Sequence, residues 1–297
     1  MSGALERRIA QGLDAVVDPA VIAFAARLAE QAEAAAALFY GSNLRTGTLE
    51  GVLDFYLLLP GSQTERIWPR VSYHEWEHEG RVLRAKVARM AFATFAHAAD
   101  GESRDTTIWA RFVQPSALVW LAEEDWRARV TAAIAGAAKT AARLAAALGP
   151  ESGTAEDYWR ALFRATYRAE FRVEKPGRED SILSVNAAHF DGLLPLAWEA
   201  QGIAFARDGE RLVPRLPGSE RRHILSWWAG RRRFGKPLNL ARLVKASTTF
   251  DGAARYAAWK IERHTGVPVA LTPWRERHPV LAAPGVLFKV WRARRKT

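Results

Sequence analysis

The sequence predicts an α+β fold: a mixed sheet near the N-terminus, then a helical module, then a basic C-terminal segment. Three observations predict it. Short apolar runs broken by Gly and Pro dominate residues 38–113, alanine-rich stretches with helical spacing occupy 20–37 and 116–165, and the excess positive charge lies beyond residue 200.

VIAFAARLAEQAEAAAA predicts a helix over 20–37 that leads into a strand at Leu38-Phe39-Tyr40. Gly41-Ser42 breaks the pattern, and VLDFYLLL (52–59) reads as a buried strand closed by Pro60-Gly61. RVSYHEWEHEGRVLRAKVARM alternates with period two on both sides of His78-Glu79-Gly80, which predicts a β-hairpin with Arg84 and Lys86 on one face. TTIWARFV (106–113) is expected as a further strand, stopped at Gln114-Pro115. The alanine-rich stretch from 116 to 165 predicts helices interrupted at Gly149-Pro150-Glu151, with a winged-helix-like arrangement as one form that module can take. YRAEFRVE (167–174) returns to strand-like alternation, and NAAHFDGLLPLAWEAQG reads as helical or irregular. A hairpin is expected in IAFARDGERLVPRL, and a helix in FDGAARYAAWKIERHTG with Asp251 as N-cap and Gly266 as its stop. The expected organisation is a core at 1–115, a helical module with a returning strand at 116–200, and a basic, Trp-rich region at 201–297.

Composition narrows the function. With 297 residues the chain can bury a sizeable core, and its lack of cysteine excludes disulfides, thiolate metal sites and cysteine nucleophiles. Residues 1–200 carry 22 Lys+Arg against 26 Asp+Glu, whereas 201–297 carry 21 against 6, an asymmetry that suggests a module facing an anionic partner, nucleic acid or an acidic membrane surface. RRHILSWWAGRRRFGK and VLFKVWRARRKT mix Trp and Phe with basic residues, which suits an anionic membrane surface, a nucleic acid, or a solvated face over core tryptophans. In the N-terminal stretch up to Phe39, acids interrupt every apolar run before it reaches the length of a signal peptide or membrane span, so the expected location is cytoplasmic, peripheral on the inner face of the membrane.

A Gly-Ser turn after one strand, followed about a dozen residues later by an acid on a second strand, is the layout of a polymerase-β-like nucleotidyltransferase core. Gly41 lets backbone N–H groups approach a triphosphate, Ser42 adds a hydroxyl, and Asp54 can hold Mg²⁺ against the same phosphates. An ordinary turn beside a strand-end acid has the same spacing. That core usually carries a second acid two residues after the first, and here Tyr56 stands there; Glu75 and Glu170 are the candidates to replace it.

These segments together resemble the mitochondrial-type phosphatidate cytidylyltransferases, the translocator assembly and maintenance family, with bacterial relatives. Tyr40-Gly41-Ser42 with Leu53-Asp54-Phe55 looks like that family's nucleotide site, which has an apolar residue two positions after its aspartate. Val71-Ser72-Tyr73 through Gly80-Arg81-Val82-Leu83 to Lys86-Val87 is similar to its tyrosine-bearing hairpin ending in a lysine. Ile108 to Pro115 looks like its Ala-Gly-Arg-x-Gln-x-Pro segment, although Ala110 precedes Arg111 without the glycine. Tyr167-Arg168-Ala169-Glu170-Phe171-Arg172 resembles its Tyr-Ser-Gly-Asp-Phe-Arg segment with Glu170 in place of the acid, and residues beyond 200 match nothing in it.

The resemblance implies CTP and phosphatidic acid as substrates and Mg²⁺ as cofactor. It implies Asp54, Lys86 and Glu170 as catalytic, Asp54 and Glu170 as metal ligands, and Tyr40, Gly41, Ser42, Arg111 and Gln114 as nucleotide-binding. Each has a plainer reading: Lys86 can pair with a hairpin glutamate, Arg111 with a core carboxylate, and Glu170, Glu75, Tyr73 and Gln114 can be ordinary strand residues. His74, His78 and His97 share no ligand-like spacing and are expected at the surface. Alternative functions are nucleotidyl transfer to RNA or to a small hydroxylated acceptor, and non-catalytic lipid or nucleic-acid binding.

Overall fold

The computed structural model describes residues 3–169, 178–249 and 252–277, together with 282 and 285. An α+β architecture is built on a mixed five-stranded sheet of β1 (Ala36–Tyr40), β2 (Leu53–Leu59), β3 (Arg70–His78), β4 (Arg81–Ala91) and β5 (Ser116–Leu121), in the order β3-β4-β2-β1-β5. β2 and β4 run parallel, and every other pair in this sheet is antiparallel. Two helices precede it, α1 (Ala4–Leu13) and α2 (Pro19–Gln31). α2 starts where Asp18 accepts a hydrogen bond from the Ala20 N–H and Pro19 supplies a pre-set φ. It ends earlier than the alanine run predicts, because Glu33 turns the chain at φ 50 and Ala36-Ala37 join the sheet.

The strand residues divide by parity between two cores. Leu38, Tyr56 and Leu58 face one side with Phe95, Trp109 and Val130. Phe39, Phe55 and Leu57 face the other, where Val21, Phe24 and Leu28 of α2 cover them. After β1 comes α3 (Ser42–Thr46), and the first side is covered by α4 (Phe92–Ala99), α5 (Thr107–Phe112) and α6 (Asp125–Leu148).

Two expectations reverse here. Residues 107–112 form helix α5, and the next strand is β5, at 116–121, where helix was expected. A short apolar run does not reveal its own period, so the partner decides. β1 offers its free edge to Ser116–Leu121, whereas Ile108, Trp109, Ala110 and Phe112 are buried on nearly every side of one short helix. The sheet therefore extends past residue 115.

The remaining helices are α7 (Ala155–Ala169), α8 (Arg178–Val185), α9 (Ala187–Phe190), α10 (Leu193–Glu199), α11 (Gly218–Thr249), α12 (Ala253–Thr265) and α13 (Pro273–Arg277). A small sheet, β6 (Gly153–Thr154), β7 (Phe205–Asp208) and β8 (Arg211–Pro214), pairs in the order β6-β8-β7, and β7 and β8 are the expected hairpin. Residues 167–169 belong to α7 and not to a strand, while the rest of the predicted strand, Glu170 included, lies outside the described residues. Gly252 is the N-cap of α12, Asp251 lies outside the described residues, and Gly266 ends the helix in the left-handed conformation as expected.

The high tryptophan content is largely spent on packing. Trp109, Trp159 and Trp198 are fully buried, and Trp228 of α11 meets Trp109 edge-on at 6.2 Å. Arg242 of α11 pairs with buried Asp105 at 2.7 Å and donates to the Trp68 carbonyl, tying the basic third to the start of α5. Gly235 of α11 sits so close to α7 that a Cβ there would collide with the Ala169 carbonyl oxygen, a backbone atom that cannot swing aside. Gly235→Ala is therefore expected to destabilise the protein by about 1–3 kcal/mol, read as a lower midpoint in urea denaturation at unchanged slope.

Candidate active site

One cross-strand row assembles the site. Register pairs Ser116 with Tyr40, Tyr40 with Asp54, Asp54 with Lys86, and Lys86 with Tyr73, so five strands contribute one residue each to a single line across the sheet. Paired residues on neighbouring strands point to the same face, which brings the Asp54 carboxylate beside the Lys86 ammonium. Both charges are largely withdrawn from water. Burial raises the Asp54 carboxyl above its ordinary value, with Lys86 and then Arg111 opposing that rise. Burial lowers Lys86, Asp54 opposes it, and Arg111 and Lys260 add to it.

Gly41 supplies the close approach. Its φ of 91° is open to glycine and strained for other residues, and a Cβ at that position would lie 3.0 Å from Asp54 Oδ2. The loop that follows is held by buried Asn43, whose Nδ2 donates to the carbonyls of Thr48 and Glu50 at 2.8 Å each.

α5 closes the row from above. The Arg111 guanidinium lies over the Tyr40 ring at 5.4 Å, and the Tyr40 phenol is pushed up to about 12, mainly by burial. Gln114 Nε2 donates to the Ala110 carbonyl at 3.0 Å, which anchors that side chain at the rim. Tyr40, Gly41, Ser42, Asp54, Arg111 and Gln114 line a cleft of about 240 Å³, with Arg45, Pro115, Tyr167 and Ile182 completing its wall. Larger cavities of about 810 and 660 Å³ lie elsewhere, but this cleft gathers the row's carboxylate, two arginines and the Gly-Ser turn.

Tyr56, where a second acid was expected, is fully buried among Tyr40, Phe95 and Phe112, and its hydroxyl donates to Met90 Sδ at 3.2 Å. A carboxylate there would enter the aromatic core. Glu75 is engaged on β3 and β4, accepting from the Tyr73 hydroxyl at 2.8 Å and pairing with Arg84 at 3.3 Å. No group of three His, Asp or Glu that could hold a metal ion occurs among the described residues. His97 is exposed, and His74 and His78 are half-buried, with His74 Nε2 bonded to Ser72 Oγ.

Sequence reasoning missed Arg45, Ile182 and Lys260, and named Tyr167 only as part of the segment that carries Glu170, without a role in the cleft. Arg45 was legible as a cation three residues beyond Ser42. Lys260 was not, because it acts on Lys86 only through the packing of α12 on β3, where Tyr256 meets Tyr73 at 5.4 Å. No family model matches the chain, and no curated protein matches it.

Because the folded protein holds the Asp54 proton more tightly than the unfolded chain, this group favours folding most at acid pH. Its contribution falls as pH rises from the ordinary value near 3.8 toward the raised one. Asp54→Asn is therefore expected to melt higher than the native protein at neutral pH, with the gap closing below pH 3.8 in a series of thermal scans. A gap that does not vary with pH contradicts the burial of this charge.

Proposed function

We propose that the chain is a Mg²⁺-dependent nucleotidyltransferase that transfers CMP from CTP to phosphatidic acid, forming CDP-diacylglycerol and releasing pyrophosphate. The observation that carries the reading is the row Tyr40, Asp54, Lys86 beneath Arg111, with Gly41 held against the carboxylate. The Asp54 carboxylate with Lys86, Arg111 and Arg45 around it suits a polyanion that brings its own cation. The strand, Gly-Ser turn and acid on the adjacent strand support a polymerase-β-like core. The choice of CTP and phosphatidic acid comes from the family resemblance of the segments between residues 36 and 190.

Asp54 fits a magnesium ligand: its carboxylate accepts no hydrogen bond among the described residues, and Mg²⁺ is commonly held by one or two carboxylates together with substrate phosphates. Glu170 is the proposed second carboxylate and lies outside the described residues. When bound, the ion would supply charge neutralisation on the triphosphate. Lys86 and Arg111 offset the charge that builds on the phosphates, the backbone at Gly41 and the Ser42 hydroxyl cradle them, and Tyr40, kept neutral, supports Arg111 from below. An oxygen of the phosphatidate phosphate attacks the α-phosphorus in line; the new P–O bond forms as the α–β bridging bond breaks and pyrophosphate leaves. The acceptor is already anionic, so no general base is needed.

The acceptor lies in a bilayer, and no helix among the described residues is long and apolar enough to cross one. The basic last third is proposed to bring the enzyme to the anionic membrane surface as a peripheral protein. Labelled CTP, Mg²⁺ and phosphatidate vesicles are expected to yield CDP-diacylglycerol. Asp54→Ala is expected to abolish it, and Lys86→Ala or Arg111→Ala to lower the rate by about 10²–10³. No product from the native protein sinks the proposal, and label transferred to RNA instead moves it to a different acceptor.

A further inference from the structure

Outside the cleft, three guanidinium groups from three separate elements meet around two aromatic rings. Arg231 lies over the Trp227 ring at 3.9 Å, and Arg143 of α6 lies over the same ring at 5.4 Å. Arg104, in the loop before α5, lies over the Phe234 ring at 4.6 Å. Trp227, Arg231 and Phe234 are spaced by four and three residues along α11 and so share one of its faces.

No carboxylate pairs with any of these arginines among the described residues. Arg231 spends its terminal nitrogens on the carbonyls of Trp227 and Gly101, and its buried Nε has no partner. Its pKa is pushed down to about 10, first by burial and then by Arg143 and Arg104. Like charges gathered without a pairing acid oppose one another, and an anion placed beside them relieves the repulsion.

The surroundings identify the kind of anion. Phe234 is 46% exposed, and Arg232, Arg233 and Lys236 beside it on α11 are exposed as well. A free phosphate gains nothing from an exposed phenyl ring, whereas a bilayer interface takes both the ring and the charges. We infer that Arg104, Arg143 and Arg231 form a docking site for the phosphate of an anionic lipid headgroup, with Phe234 entering the acyl boundary; this rests on the membrane part of the function proposed above. Trp227 and Trp228 do not enter the bilayer, since both pack on Trp109. Trp109 is on α5, two residues before Arg111, so the helix that supplies the cleft's arginine also packs against the stretch of α11 that carries the docking site.

The test is sedimentation with phosphatidylcholine vesicles carrying about 20 mol% phosphatidate, without CTP or Mg²⁺. The native protein is expected to pellet with these and not with pure phosphatidylcholine, and to be released by salt. Arg104→Ala combined with Phe234→Ala removes two exposed side chains and spares the core; it is expected to lower partitioning by more than about fivefold, the value of one basic residue at such a surface. Arg143→Gln is expected to act in the same direction, while Arg255→Ala on α12, an equal change of charge, leaves partitioning unchanged. Four results overturn the site: a double variant that pellets like the native protein, equal binding to neutral vesicles, Arg104-dependent stabilisation by inorganic phosphate without vesicle binding, or Arg104-dependent RNA binding without vesicle binding. The readout needs no turnover. Vesicle binding without CDP-diacylglycerol formation therefore refutes the transfer reading alone, and turnover with unchanged partitioning of the variants refutes this site alone.

Discussion

The parallel pairing of β2 with β4 is the constraint on which the rest of the structure depends. It sets Asp54 directly across from Lys86, and the antiparallel neighbours then place Tyr40 and Tyr73 on either side of that pair in the same line. A slip of one residue in that register would turn Asp54 into the packed face beside α2 and bring Phe55 to the cleft. Burial disfavours both the carboxylate and the ammonium, and their mutual attraction only partly offsets it, so the row costs stability in the free protein.

The row alone does not make a cleft. Arg111 arrives on α5, whose start is fixed by buried Asp105 bonding Thr107 and pairing with Arg242 of α11. Residues more than a hundred positions apart in sequence thus hold one cation over Tyr40. The C-terminal third contributes packing as well as charge: Ile224 and Trp228 sit in the same core as the inner face of the sheet, and Arg231 and Phe234 on the same helix stay near the surface. One long helix therefore presents an inward aromatic side and an outward basic one.

Much of this was legible in the sequence. A short apolar run closed by Pro60-Gly61 marked β2, period-two alternation marked β3 and β4, and the positions of Gly41, Asp54 and Lys86 followed from strand spacing. The segment from 106 to 121 was misread because an apolar run of six to eight residues fits helix and strand equally, and the free edge of β1 decided between them. The tryptophans of α11 looked like interfacial anchors beside so many arginines, yet Trp228 is 4% exposed and packs on Trp109. Local composition does not record which side of a helix meets the core when the partner is a helix distant in sequence. Tyr56 was legible as an anomaly, and its cause is spatial: its face of β2 points into a cluster of aromatic rings.

The central claim is that Asp54 and its row bind a metal-bearing triphosphate. Calorimetric titration of CTP into the protein, with and without Mg²⁺, tests it most directly. Saturable binding that requires Mg²⁺ in the native protein and is lost in Asp54→Asn is the predicted result; binding that is indifferent to the metal or survives that substitution contradicts it.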